Sequence, residues 1–200
     1  PIKRNWPECG REVTLVEHAH DEPVYIGFNR EKYFKGCKNA YFKYGGTGIE
    51  FSEGLYKAGL LHHTPEEFEG HEIVPFDWVL KHIPMPPKDP EVIKAIIDEG
   101  IVEDNGAFVC EAYGKKDGKD KTYYIYNVCD HQECYKEVAS QAISYTTGVP
   151  AMCGALMLLT GKWTQKGVHT VEEFDPDPFL DALDKYGLPR SENHNPVLVD

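Results

Sequence analysis

Residues 127–134, NVCDHQEC, hold two cysteines, a histidine and two acids, which are side chains typical of metal and redox sites. Structural zinc sites use four thiolate or imidazole ligands, commonly in short-spaced pairs. No second Cys or His pair lies nearby in the sequence, and His62, His63 and His71 could join only through the fold. We therefore expect no metal ion at this cluster.

The same residues fit the junction between a strand and a helix. Asp130 is a residue type that caps helix N-termini, and Glu133 follows three residues later, as in a capping box. Turns of this kind often line ligand sites. The sequence therefore predicts a structural turn after Cys129, with Asp130 and His131 as candidate ligand-binding residues.

A second unusual run follows at residues 144–161, SYTTGVPAMCGALMLLTG. Pro150 cannot donate a hydrogen bond to Thr146, so a helix here is kinked or begins anew. The freed backbone groups and the hydroxyls of Thr146 and Thr147 could meet a ligand. The alternative is close helix packing through small residues, and both interpretations stay open at this stage. The small residues are Gly148, Ala151, Gly154 and Ala155.

A glycine-rich run, YFKYGGTGIEF, invites comparison with a dinucleotide-binding loop. Counted from Gly46 it gives Gly-x-Gly-x-x-Phe, with Phe51 in place of the third glycine, and no acid-ended strand follows. We therefore predict no cofactor site here. Lys43 could receive a carboxylate beside the glycine backbone, or it is a solvated strand lysine. A Gly-x-Ser-x-Gly nucleophile motif is absent.

Composition narrows the class of partner. Acids outnumber Lys and Arg by 33 to 21, and the formal charge of −12 repels nucleic acid and anionic membrane surfaces. No apolar run reaches the roughly 18 residues of a membrane span, and no signal segment opens the chain. We expect a cytoplasmic protein with neither partner. Five cysteines in apolar or aromatic sequence favour buried free thiols: Cys37, Cys110, Cys129, Cys134 and Cys153.

Apolar periodicity predicts interspersed strands and helices. Because one strand pair is a hairpin around an Asp-Gly turn, the sheet cannot be all parallel. We predict an α+β (mixed α/β) domain with helices packed on one face of a largely antiparallel sheet. Strands are expected at residues 11–18, 39–46, 107–113 and 121–128, and helices at residues 48–61, 75–83, 89–100 and 177–186. A further helix is indicated by Cys134, Val138, Ala142 and Tyr145.

Three runs resemble the C-terminal half of the saccharopine dehydrogenase family, which includes carboxynorspermidine and lysine dehydrogenases. They are YFKYGG with the helix after it, YGKKDGKDKTYYIYNVCDHQECYKEVASQAISYTTGVPA, and GVHTVEEFDPDPFLDALDKYGLP. The resemblance covers the chain from about Tyr41 onward. It implies that residues 1–200 are a substrate-binding and dimerisation domain. The start at Pro1 and the lack of a glycine fingerprint suggest that the family's N-terminal Rossmann domain lies outside this chain.

The resemblance further implies an oxidoreductase that interconverts a secondary amine and an imine by hydride transfer, in amino-acid or polyamine metabolism. NAD or NADP would bind the full-length enzyme and not this domain alone, which we expect to be inactive by itself. Saccharopine, carboxynorspermidine and lysine all stay open as small-molecule substrates. The alternative is a stand-alone, non-catalytic binding or interaction domain derived from that family.

The substrate site implied by the resemblance has no assigned catalytic residue. Lys43 is the candidate carboxylate partner, although family members often carry arginine there. Asp130 or His131 would bind the amine or relay a proton. The residues expected to line the cleft to the Rossmann domain are Thr146, Thr147 and Gly148.

A homodimer is also expected, from the resemblance and from the hairpin. Its strands carry aromatic residues on both faces, with Phe108 on one strand and Tyr123, Tyr124 and Tyr126 on the other. A half-solvated sheet alternates more cleanly, so a covered outer face is implied. We predict that the sheet and hairpin contribute to a two-fold interface.

Overall fold

A computed structural model describes residues 2–6, 10–46 and 48–193 of the chain. The strands are β1 (Ile2–Trp6), β2 (Arg11–Glu17), β3 (Lys43–Gly45), β4 (Glu66–Phe68), β5 (His71–Ile73), β6 (Asn105–Lys116), β7 (Lys119–Asp130) and β8 (Ser191–Glu192). The helices are α1 (Asp21–Phe28), α2 (Ile49–Lys57), α3 (Pro75–His82), α4 (Pro90–Asp98), α5 (His131–Val138), α6 (Ala142–Leu159) and α7 (Asp177–Lys185), with a 3-10 turn at Val171–Glu173.

The described strands form three separate antiparallel sheets. The first has the order β1-β2-β3, the second is the β4-β5 hairpin, and the third has the order β6-β7-β8. The α+β class is confirmed. The prediction of one sheet was wrong, because the described strands pair in three separate groups.

The long hairpin is the part of the fold that the sequence predicts best. β6 and β7 pair over 12 residues each, and Lys116 lies opposite Lys119. The two residues between them, Asp117 and Gly118, both have positive φ, at 54° and 75°. Such a two-residue turn matches the twist of the flanking strands, which is why Asp-Gly predicts it.

The helix after the hairpin is broken where helical spacing predicted continuity. α5 ends at Val138, Ala139 adopts a left-handed φ of 53°, and α6 begins at Ala142. α6 then continues through Pro150 without restarting. The helices predicted near residues 48–61, 75–83, 89–100 and 177–186 are present as α2, α3, α4 and α7. Four other elements were not predicted: β1, α1, the β4-β5 hairpin and β8.

Two clusters of buried side chains surround α6. The first joins α5 and α6 to the end of β7 through Cys129, Cys134, Ala142 and Leu188. The second joins α6 to α7 through Cys153, Met157, Trp163 and Ala182. Three of the five cysteines predicted to be buried are therefore in the core, whereas Cys37 is half-buried and Cys110 is exposed.

α6 corrects the expectation that no apolar run reaches the length of a membrane span. Its 18 residues have a mean hydropathy of 1.4, long and apolar enough by length and composition to cross a bilayer. Ser144, Tyr145, Thr146 and Thr147 interrupt the apolar residues of the first half, so the run is not continuous in sequence. Core helices pass the same test, and one such helix is weak evidence for a membrane protein.

Candidate functional site

Asp130 ends β7 and caps α5. Its Oδ1 accepts the backbone N–H of Glu133 at 2.9 Å, which satisfies one of the amide groups left open at the start of a helix. Glu133 itself pairs with Lys136 at 2.8 Å. The predicted strand-to-helix turn is confirmed, and the Asp130 carboxylate has a structural task there.

His131 ties the start of α5 to the start of α6. Its ring Nδ1 accepts the backbone N–H of Ala142 at 3.2 Å, and the backbone N–H of His131 donates to the Asp104 carbonyl at 3.0 Å. A ring nitrogen that accepts carries no proton, so the neutral ring is protonated at Nε2. Nε2 is therefore the ring atom that could exchange a proton with a ligand.

Gln132 is a linking residue that the sequence analysis missed. Its amide nitrogen donates to the carbonyls of Ile97 and Val102, both at 2.9 Å, and so holds the end of α4 against α5. Asp130, His131 and Gln132 thus connect β7, α4 and α6 at one turn. The two carbonyl groups that accept from Gln132 lie 30 and 35 residues before it, so no local sequence pattern predicts these hydrogen bonds.

Two thiols meet beneath this turn. The sulfur atoms of Cys129 and Cys134 lie 2.8 Å apart, and both residues are buried. Burial, followed by the contact with Cys134, raises the pKa of Cys129 to about 12. Such a thiol stays protonated at neutral pH and is a poor nucleophile. Within the described residues, no group of three or more His, Cys, Asp or Glu side chains is arranged to hold a metal ion.

The first turns of α6 carry the predicted cleft residues. The hydroxyls of Thr146 and Thr147 both donate to the Ile143 carbonyl, at 3.3 and 2.8 Å, so each can still accept from a ligand. Pro150 supplies no N–H to the Thr146 carbonyl, which leaves that oxygen without its helical bond. Gly148 is exposed on the same helix.

A cavity of about 320 Å³ opens beside Gly148 at the α5–α6 junction. Apolar atoms dominate its wall, with two serine hydroxyls as polar groups. This cavity would suit the aliphatic part of a ligand or of an inserted side chain. Its lining residues are Val138, Ser140, Ser144, Tyr145, Gly148, Val149 and Met152.

Lys43 is not brought to this junction. It is half-buried on β3, in the first sheet, directly opposite Glu17 on β2. Asp130 and His131 belong to the third sheet and α5. Within the described part of the chain no carboxylate forms an ion pair with Lys43, so its ammonium group could still receive a carboxylate from outside.

A polar network links the loop after α1 to the 3-10 turn. Glu173 accepts from the hydroxyl of Tyr33 and from Nδ1 of His169, both at 3.2 Å, and Asn29 donates to Glu172 at 2.9 Å. The Lys166 carbonyl and then Glu173 raise the pKa of His169, whose hydrogen bond in turn lowers the pKa of Glu173. The sequence analysis missed this network because its partners lie about 140 residues apart.

The described residues do not fit a dinucleotide cofactor. Such a site needs a parallel βαβ unit whose glycine-rich turn opens a helix. Here β3 precedes the glycines but pairs antiparallel with β2, and every described strand pairing is antiparallel.

Comparison with known proteins identifies the class of this domain. The sequence profile of the saccharopine dehydrogenase C-terminal domain matches residues 19–188. The chain therefore belongs to the saccharopine dehydrogenase family, as its C-terminal domain. The match begins before Tyr41, so it extends further than the resemblance seen in the sequence.

Relatives of this chain are enzymes named for polyamine-type substrates. It is 55% identical over 196 residues to carboxynorspermidine synthase of Vibrio alginolyticus, covering 94% of this chain and 42% of the relative. It is 41% identical over 182 residues to carboxyaminopropylagmatine dehydrogenase of Synechocystis sp., covering 88% and 44%. A carboxynorspermidine synthase of Vibrio cholerae is 30% identical over 196 residues, covering 94% and 42%. The chain thus spans less than half the length of these relatives.

Proposed function

We propose that this chain is the substrate-binding and dimerisation domain of an NAD(P)-dependent oxidoreductase that interconverts a secondary amine and an imine. The observation that carries the proposal is the 55% identity across 94% of the chain to a carboxynorspermidine synthase. Identity at this level over nearly the whole domain supports a shared substrate class. The relatives' names favour a carboxylated polyamine over saccharopine or lysine, and the setting we propose is the cytoplasm.

The domain's task in this proposal is to hold the substrate. A carboxylated polyamine carries both an anionic and a cationic end, and hydride transfer requires the reacting carbon to be fixed against the carrier. The substrate would reach from the α5–α6 junction to Lys43 on β3, which would receive the carboxylate. Asp130, through the oxygen not used in its cap, or Nε2 of His131 would meet the amine. Thr146, Thr147 and Gly148 would line the cleft between the domains.

The first test asks whether the isolated chain binds the nicotinamide cofactor, which the proposal places in another domain. The isolated chain should bind neither NAD nor NADP, because its glycine turn lies in an antiparallel sheet. Isothermal titration calorimetry with each nucleotide measures this directly. Micromolar binding to the isolated chain would contradict the proposal. The full-length enzyme, assayed with each amine and aldehyde pair, should prefer the pair whose reduced product is a carboxylated polyamine.

Lys43 gives a sharper test of the substrate site. In the full-length enzyme, Lys43→Ala should raise the Michaelis constant for the carboxylate-bearing substrate by roughly tenfold or more, since a charge-assisted contact is lost. Lys88→Ala, at an exposed lysine between α3 and α4, is the control and should leave the constant unchanged. An unchanged value for Lys43→Ala would remove Lys43 from the site.

A two-fold homodimer through the long hairpin is part of the proposal. The strand register puts Phe108 and Cys110 on the same face as Ile125 and Tyr123. Phe108 is 62% exposed and Tyr123 is 42% exposed, so this face is apolar and uncovered in the single chain. Light scattering at micromolar concentration should give twice the monomer mass of 22.7 kDa. A clean monomer mass would exclude the dimer.

A further inference from the structure

α6 has an apolar side that is left uncovered by the residues that the structure describes. Cys153 and Met157 point into the core, and Ala151 and Ala155 lie two positions away, about 200° around the helix axis. We call the exposed residues the outer face of α6. They are Ile143, Ser144, Thr147, Gly148, Ala151, Met152, Ala155, Leu158 and Leu159.

The outer face carries no charge. No Asp, Glu, Lys or Arg occurs between Ala142 and Leu159, although the chain as a whole has a formal charge of −12. Only 17% of the helix is buried, and Leu158 and Leu159 are 57% and 86% exposed. Solvent-facing helix surfaces are normally polar, so a contiguous apolar face marks a contact surface.

The exposed area of the chain is too large for a dimer interface alone. The accessible surface is 14758 Å², whereas a compact protein of 22.7 kDa exposes about 9,500 Å². A standard interface covers about 800 Å² on each partner, and obligate ones about 1,000–2,500 Å². The excess of about 5,000 Å² is more than one such interface covers, so the surface has room for a second covering body besides the partner in the proposed hairpin dimer.

The length of the relatives indicates what this body is. This chain covers 42–44% of them, so more than half of each relative lies outside the matched segment, and a C-terminal domain follows another part of its protein. We propose that the outer face of α6 is the docking surface for the dehydrogenase domain that precedes this one in the full-length protein. This inference rests on the proposed function and assigns to a specific helix the contact between the two domains.

The shape of the outer face suits permanent packing. Ser144, Gly148, Ala151, Ala155 and Leu158 follow one another at spacings of four, three, four and three residues, which keeps one seam facing a partner. Four of these five residues are small, so a helix can approach closely. The cavity beside Gly148 opens next to this seam and can receive one larger partner side chain.

Site-specific thiol labelling in the full-length protein tests the docking. Ala155→Cys lies on the outer face of α6, and Ala95→Cys is the matched control at an exposed alanine within α4. Maleimide labelling, measured peptide by peptide with mass spectrometry, should be at least about tenfold slower at position 155 than at position 95. The protection should not change when the protein is diluted, because both domains belong to one chain. In urea the two rates should become equal.

Photo-crosslinking identifies the occupant. A photoreactive phenylalanine derivative at position 158, in a mixture of isotopically light and heavy chains, should crosslink to upstream residues of the same chain. Crosslinks between light and heavy chains at this position, or protection lost on dilution, would overturn the proposal in favour of a second copy. Protection that appears only when lipid vesicles are added would overturn it in favour of a membrane surface.

Activity of the same preparation separates this inference from the proposed function. If the full-length protein reduces its imine with NAD(P)H while position 155 reacts as fast as position 95, the docking is wrong and the function stands. If no nicotinamide cofactor binds and no amine–aldehyde pair reacts, the proposed function is wrong, and with it the identity of the docked domain.

Discussion

Two clusters of buried side chains surround α6 in the C-terminal region (residues 89–193). The buried apolar side chains of the N-terminal region (residues 10–83) are Val13, Leu15, Pro75 and Val79. Neither α1 nor α2 has a buried residue. The helix starts differ in the same direction. Asp89, Asp130 and Gln141 cap three of the four α-helices of the C-terminal region, α4, α5 and α6 but not α7, while α1, α2 and α3 have no side-chain cap bond.

The contacts between the two regions are largely polar. Asn29 and Tyr33 donate to Glu172 and Glu173, and the helices and strands that pack most extensively on one another belong to the same region. Burial of apolar surface is the dominant stabilising term in folding. The C-terminal region therefore has the larger share of this stabilisation. The N-terminal region is held together mainly by strand pairing.

Removal of a core aromatic residue should show the largest effect. Trp163 is 8% exposed, stacks on Phe174 with ring centres 4.5 Å apart, and donates to the Asp175 carbonyl at 3.1 Å. Trp163→Ala should lower the free energy of unfolding by about 3–5 kcal/mol. Trp78→Ala, at a 56% exposed tryptophan of the N-terminal region, is the control and should cost well under half as much. Urea unfolding measures both, and equal costs would contradict the contrast between the regions.

Gly45 tests how firmly the N-terminal sheet is held. A Cβ at this position would lie 2.5 Å from Leu15 Cδ2 and 2.9 Å from the Thr14 carbonyl oxygen. If the sheet is rigid, Gly45→Ala should cost about 1–3 kcal/mol, as overpacking does. Gly114→Ala in β6 has open space around its Cβ and should cost little. A negligible cost at Gly45 would show that β3 moves freely against β2.

Local chemistry explains which elements were predictable from the sequence. The Asp117–Gly118 turn depends on residues adjacent in sequence and is confirmed, and the Asp89 cap of α4 depends on residues just as close. The break at Ala139 was missed because alanine favours a helix. In the structure Ala139 ends α5 in a left-handed conformation, and the next helix is tied to the start of α5 by the hydrogen bond from Ala142 to His131. Tertiary packing overrides propensity at such points.

The candidate site divides in the same way. The cap at Asp130 follows from its spacing to Glu133 and was predicted. Long-range contacts were not: Gln132 reaches α4, and Tyr33 reaches Glu173 across 140 residues. The separation of Lys43 from Asp130 also could not be foreseen, because it depends on the strands forming three sheets and not one.

Two substitutions of Asp130 distinguish its structural role as a helix cap from a role in binding the substrate. Asp130→Ala removes the α5 cap and should cost about 1 kcal/mol of stability, while Asp130→Asn keeps a capping oxygen and should cost a few tenths. In the full-length enzyme, Asp130→Asn should raise the Michaelis constant for the cationic amine if the carboxylate binds it. Asp89→Asn, at the α4 cap, is the control. A constant unchanged in Asp130→Asn would leave Asp130 with the cap alone.

The smallest expected effect is a pH dependence at the contact between the regions. The pKa of His169 is raised above 6.5, first by the Lys166 carbonyl and then by Glu173, with Lys32 opposing. Its contribution to stability is therefore complete below about pH 6.5 and is lost as pH rises through the raised pKa. The pKa of Glu173 is lowered below 4.5, so its contribution is present above about pH 4.5 and is lost as pH falls through the lowered value.

The pair should stabilise the protein most between about pH 4.5 and 6.5. His169→Gln should therefore lower the urea midpoint at pH 5.5 and have less effect at pH 8, where the native imidazole is losing its proton. In a Glu173→Gln background, the effect of His169→Gln on the urea midpoint should be nearly the same at pH 5.5 and pH 8, because the imidazolium then has no anion to bind. His71→Gln, at an exposed histidine of β5, controls for the other histidines. If the difference between the native protein and His169→Gln is the same at both pH values, the pair of His169 and Glu173 does not support this contact, which would then depend on the hydrogen bonds that Asn29 and Tyr33 donate to Glu172 and Glu173.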